Sequence, residues 1–206
     1  MIKLKRFTII VSALCISSAA VFADLVVIDE GLDNSGLNST VSDISGKAAN
    51  FVMGAGDDYS LTSVVLGLAN IQAEAVPVVE LWSDEGTGTP ETLLETLTNP
   101  GSLAAGANTF TSSGTTLEAS KTYWVAVYAS ANKFDWLGNN ADTSVTSDIG
   151  ATHTARLYGG SSPGGWNSSS SVLNQIQVYA VPEPATMAMI GTAGLSLLLL
   201  RRRMRK

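Results

Sequence analysis

An all-β fold, a jelly-roll-like β-sandwich, is what the sequence predicts, on three observations. Between residues 24 and 180 the apolar runs are short and rich in Val, Thr, Tyr and Leu. Clusters of Gly, Ser, Asn and Asp separate them every 8 to 15 residues. No stretch of this region keeps a 3.6-residue apolar period for long. Short β-branched and aromatic runs joined by turn residues suit antiparallel layers, where each strand hides a face and each turn reverses the chain.

Taken in order, strands are expected over 25–29, 48–53, 60–70, 75–83, 91–97, 108–112, 122–129, 152–158 and 175–180. The run at 91–97 is the ambiguous one, because Leu93-Leu94-Glu95-Thr96-Leu97 would also fit one helical turn. Residues 122–129 set Tyr123, Val125 and Val127 against Trp124, Ala126 and Tyr128, so both faces are apolar. A strand apolar on both faces belongs at the centre of a sheet. Segments 139–149 and 161–171, rich in Asn, Asp, Ser, Gly and Pro, read as loops.

Charge divides the chain into a body and two ends. Lys3, Lys5 and Arg6 open it, and Arg201, Arg202, Arg203, Arg205 and Lys206 close it. Residues 24–180 hold only Lys47, Lys121, Lys133 and Arg156 against seventeen carboxylates, a net charge of −13. Such a body repels phosphate, which excludes nucleic acid as its partner.

The first end, 1–23, has a basic start, an uncharged apolar run and Val21-Phe22-Ala23 ahead of Asp24, which reads as a secretory signal cleaved after Ala23. Its apolar run is about 15 residues, short of the ~20 a stable span needs. Cys15 lies inside that run, so the mature chain carries no thiol and its stability owes nothing to disulfides.

The other end, 181–206, holds Val181-Pro182-Glu183-Pro184, an uncharged run to Leu200, and the arginine cluster. Pro184 suits the first turn of a helix and Glu183 the charge at its start. Sixteen residues at ~1.5 Å each reach roughly 24 Å, a marginal membrane-spanning helix whose arginines can snorkel. The cations hold that end in the cytoplasm, which places the body outside.

The triplet Pro182-Glu183-Pro184, the short span and Arg201, Arg202 and Arg203 together resemble the PEP-CTERM sorting signal of bacteria. That resemblance implies recognition by an exosortase, a membrane-embedded protease. It also implies export across the inner membrane, an anchored intermediate, and delivery to the cell surface or medium. The triplet would be substrate and not catalyst.

The body resembles the choice-of-anchor R domain over roughly residues 45 to 140. Ala48-Ala49-Asn50-Phe51, Tyr59-Ser60-Leu61, Val79-Glu80-Leu81-Trp82-Ser83-Asp84 and Tyr123-Trp124-Val125-Ala126-Val127 carry the likeness. It implies an extracellular β domain and supplies no reaction.

No enzymatic activity and no cofactor are expected. His153 is the only imidazole and is expected half-exposed on a strand. One His and no mature thiol disfavour zinc. Calcium is the sharper metal alternative, because a hard cation collects carboxylate and carbonyl oxygens. Asp57 and Asp58, in Gly54-Ala55-Gly56-Asp57-Asp58, and the Asp33-Asn34-Ser35-Gly36 turn are its candidate loops. A hydrolase would need two carboxylates facing each other across a cleft.

Tryptophan suggests a binding role. Strand alternation puts Trp82 and Glu80 on the face opposite Val79 and Leu81, while Trp136 and Trp166 lie in Gly/Asn-rich, loop-like surroundings. Exposed rings beside polar groups can stack on sugars, so Trp82, Trp136 and Trp166 are the candidate contacts of a carbohydrate-binding module, with exopolysaccharide as ligand. The competing reading is that each ring packs inside; Trp124 is assigned to the core.

Overall fold

A computed structural model describes residues 23–32, 36–139, 145–159, 165–169 and 173–183. The expected signal segment before Ala23, the spanning helix, Pro184, the arginine cluster and the 33–35 turn lie outside these residues. Among the described residues no helix is long and apolar enough to cross a membrane.

The described residues form fourteen strands, β1 to β14, in two antiparallel sheets. The first sheet contains β1 (Leu25–Asp29), β2 (Leu37–Val41), β4 (Tyr59–Ala69), β7 (Gly106–Thr111), β8 (Thr116–Leu117), β10 (Phe134–Asn139), β13 (Leu173–Asn174) and β14 (Ile176–Pro182). Its main path runs β1-β14-β4-β10-β13, with β7 and β8 also pairing β4 and β2 pairing β10. The second sheet runs β12 (Asn167–Ser169), β11 (Arg156–Gly159), β3 (Gly46–Val52), β9 (Thr122–Ala131), β5 (Val76–Ser83) and β6 (Thr92–Thr96).

The core between the layers is drawn from both sheets. Leu61, Val64, Leu66, Leu68, Phe110, Trp136, Ile176 and Val178 come from the first, and Phe51, Val79, Leu81, Val125 and Val127 from the second. Burying side chains of this size stabilises by ~1.5–3 kcal/mol each, which is what holds a chain without disulfides together. Strand β9 sits between β3 and β5, the central place its two apolar faces predict.

Pleating alone would turn Leu61 and Val64 to opposite faces, yet both are in the core. A bulge solves this. Tyr179 pairs Ser63 and Ala180 pairs Leu61, so Thr62 is the extra residue. A second bulge, between Val26 and Ile28, does the same for Val27 and Ile28 in β1.

The strand expected at 91–97 is present as β6 (Thr92–Thr96), without the helical turn that run would also fit. Other expectations are corrected. The expected strand 152–158 is only β11 (Arg156–Gly159), preceded by a single bridge at Thr152. Asn139 and residues 167–169, expected in loops, are in β10 and β12. Strands β2, β8, β10, β12 and β13 were not expected from the sequence.

Candidate functional site

The site of most consequence lies where the body hands over to its carboxyl end. Strand β14 lies between β1 and β4, and its last residues pair Val181 with Ser60 and Pro182 with Tyr59. Strand β8 pairs the same two β4 residues, Tyr59 with Leu117 and Ser60 with Thr116. Pro182 has no N–H, so a terminal strand position suits it. Beyond it, the Glu183 N–H donates to the Asp58 carbonyl oxygen at 3.2 Å. Thr116 Oγ1 donates to Glu183 Oε1 at 3.0 Å. The Asp58 carboxylate accepts the Ala119 N–H at 2.9 Å, which fixes the turn that offers the carbonyl.

Residues 180–203 match the PEP-CTERM protein-sorting motif. The carboxyl end is a PEP-CTERM sorting signal. The motif indicates an exported, exosortase-sorted protein and implies processing by that membrane protease. The matched stretch begins at Ala180, a fully buried core residue, so the sorting signal starts inside the sandwich. Comparison with curated proteins and with solved structures found no match. At the other end, Ala23 is exposed and stands just before β1, where cleavage would leave the first strand whole.

The three candidate tryptophans do not converge. Trp136 is not on a loop: it is fully buried in β10, and its indole N–H donates to the Gln175 carbonyl at 2.9 Å. Trp82 does face away from Val79 and Leu81, on the outer side of the six-stranded sheet, but is only 7% exposed. There it joins Trp124, Tyr128, Ala126, Leu157 and half-buried Trp166 in a second apolar cluster. Trp124 is fully buried, in this outer cluster and not between the sheets.

Two carboxylates hold the outer cluster. Trp82 Nε1 donates to Glu80 Oε2 and Trp124 Nε1 to Asp84 Oδ2, each at 3.0 Å. Burial pushes the Glu80 carboxyl above its ordinary range, partly offset by the Trp82 hydrogen bond. The Tyr128 ring lies over Gly46, where an added Cβ would come within 2.6 Å of two ring carbons. Trp166 stacks obliquely on Tyr128, with ring centroids 5.9 Å apart.

His153 is likewise not half-exposed on a strand. Its side chain is buried, with Nδ1 3.2 Å from Glu30 Oε1, and Arg156 is buried nearby. Burial, partly countered by Arg156, pushes Glu30 up to about 7. Burial and the Arg156 charge push His153 down to about 4. The contact is therefore not an ion pair at neutral pH; Arg156 is the cation of the group. Among the described residues, Glu30 Oε2 and Arg156 Nε find no hydrogen-bond partner.

Asp57 and Asp58 are exposed in the turn between β3 and β4. Among the described residues no three His, Cys, Asp or Glu side chains stand close enough to share an ion. A cleft of about 440 Å³ is lined in part by Asp84, Glu85 and Glu118. Asp84 is occupied there, holding Trp124 and accepting the Gly86 and Gly88 N–H groups. Another cleft, of about 610 Å³, has Glu74 as its one titratable lining residue.

Proposed function

We propose that this chain is a non-catalytic protein of the cell surface or extracellular matrix. Its acidic β-sandwich, jelly-roll-like, is exported by an amino-terminal signal and sorted by its carboxyl signal. The match over residues 180–203 carries this reading. The exposed Ala23 just ahead of β1 and the −13 body between basic ends support it. The jelly-roll likeness draws on a chain that passes between the two sheets at most of its connections. The choice-of-anchor R likeness draws on motifs that fall on β3, β4, β5 and β9, three of them adjacent in one sheet.

The test is expression with and without an exosortase. With the protease, the arginine cluster is lost from the mature protein; without it, the full carboxyl end stays in the membrane fraction. Loss of the cluster at the same rate in both would overturn the sorting reading.

A carbohydrate-binding role is the second reading, favoured by Trp82, Tyr128 and Trp166 gathered with Glu80 on one outer face. Trp166, the most exposed ring of the cluster, is the residue to watch. Titration with envelope polysaccharide should quench its fluorescence, and a flat titration would remove this reading. The carboxylate-hydrolase reading draws less support, since Asp84 is already committed to holding Trp124 and the turn after β5.

A further inference from the structure

The folded body grips the first residues of its own sorting signal, and this bears on how the signal is read. Ala180 is buried in the core, Val181 and Pro182 occupy paired positions on β4, and Glu183 is held by backbone and side chain together. Among residues 180–183 there is no free linker. A protease binds its substrate extended, with backbone groups that must be free to pair with the enzyme. Here those groups are already paired with the body.

We infer that Thr116 and the Asp58 carbonyl form a latch on Glu183 of the triplet, and that the end of β14 must leave β4 before the membrane protease can take it. The inference rests on the sorting reading and adds two residues that control access to the signal. Peeling Val181, Pro182 and Glu183 from β4 lengthens the tether by about 10 Å at the ~3.3 Å rise of a strand. That reach matters because a body of net charge −13 is repelled from an anionic bilayer and cannot lie flat on it. The latch is built to yield. Pro182 offers no N–H, and the Thr116–Glu183 hydrogen bond is open to solvent. Ala180, buried on the core side of the peeled segment, stops the peeling from spreading.

The experiment follows processing of the full chain by pulse-chase in cells that contain the protease. It compares wild type, Thr116→Val, and a chain with Gly-Ser-Gly-Ser inserted between Ala180 and Val181. Thr116→Val removes the donor and keeps the shape; the insertion frees the triplet from β4 whatever Thr116 does. Processing should quicken about twofold in Thr116→Val, the size expected for losing one solvent-exposed hydrogen bond, and at least as much in the insertion chain. Amide exchange at Glu183, read on the full chain in detergent, should quicken in step. Equal half-times for all three chains, each fully processed, would overturn the latch and leave the sorting reading standing. No processing of any of the three would overturn the sorting reading and the latch with it.

Discussion

The two ends of β14 are held in different ways. At its start, Ile176 and Val178 are fully buried, and the preceding Gln175 is enclosed as well. The Gln175 carbonyl takes the Trp136 indole N–H, its own N–H reaches the Leu137 carbonyl at 2.7 Å, and its side chain donates to Asn139. At its finish, Pro182 and Glu183 are only half-buried; Pro182 pairs Tyr59, and Glu183 depends on the Asp58 carbonyl and one exposed hydroxyl. One strand thus serves two purposes. Its first half belongs to the fold and its last residues belong to the signal. The stability of the body lies upstream of residue 181, so the signal can be drawn out and cut without unfolding what it delivers.

Substitutions at the two ends should therefore differ in kind as well as in size. Trp136→Ala removes a fully buried ring and one of the two donors to the Gln175 carbonyl, which keeps the Gly67 N–H at 3.2 Å. It should cost about 3–5 kcal/mol, read as a fall in the denaturant midpoint. A loss below about 1 kcal/mol would mean that the start of β14 is not where the fold is held.

The buried pair near the end of β1 gives a prediction in pH. Folded Glu30, at about 7 against an ordinary 4.5, keeps its proton where the unfolded chain has lost it. Its contribution is complete below about 4.5 and is lost as pH rises through 7. His153, at about 4 against 6.5, acts oppositely: its contribution is complete above 6.5 and is lost as pH falls through 4. The two slopes offset each other between about 4.5 and 6.5, so stability should be flat there. From pH 5 to 8, wild type should lose up to about 3 kcal/mol relative to Glu30→Gln. Parallel melting curves for the two proteins across that range would show that Glu30 does not titrate with folding.

On the outer face, Trp166→Ala should cost about 1 kcal/mol, because that ring is only half-buried and stacks on Tyr128. Smallest of all, Thr116→Val should lower the unfolding free energy by no more than about 0.5 kcal/mol, read from the denaturant midpoint, since its hydrogen bond is exposed. A body that unfolds on this substitution would erase the contrast between the two ends.

Strands with strong apolar alternation were legible in the sequence. β1 was located to the residue, and β4, β5 and β9 to within a residue or two, because each must bury a face against the core. β10 was not, since Phe134-Asp135-Trp136-Leu137-Gly138-Asn139 mixes turn-forming residues with its apolar ones. Its Asp135 is tolerated because Thr40 and Asn70 both donate to it, partners distant in sequence. Trp136 was misplaced for the same reason: local composition described a loop, and pairing with β2 and β4 made a buried strand. The triplet itself was plain as a motif. Its grip by Thr116 was not, because the two residues are 67 apart and a lone threonine in the two-residue strand β8 carries no mark. His153 was hidden likewise, its environment being set by Glu30 at the far end of the chain.

The most direct measurement is the intact mass of the native protein recovered from cells that hold the protease. The expected mass lacks residues 1–23 and the carboxyl-terminal arginine cluster. A mass that includes residues 201–206 would contradict sorting by this signal.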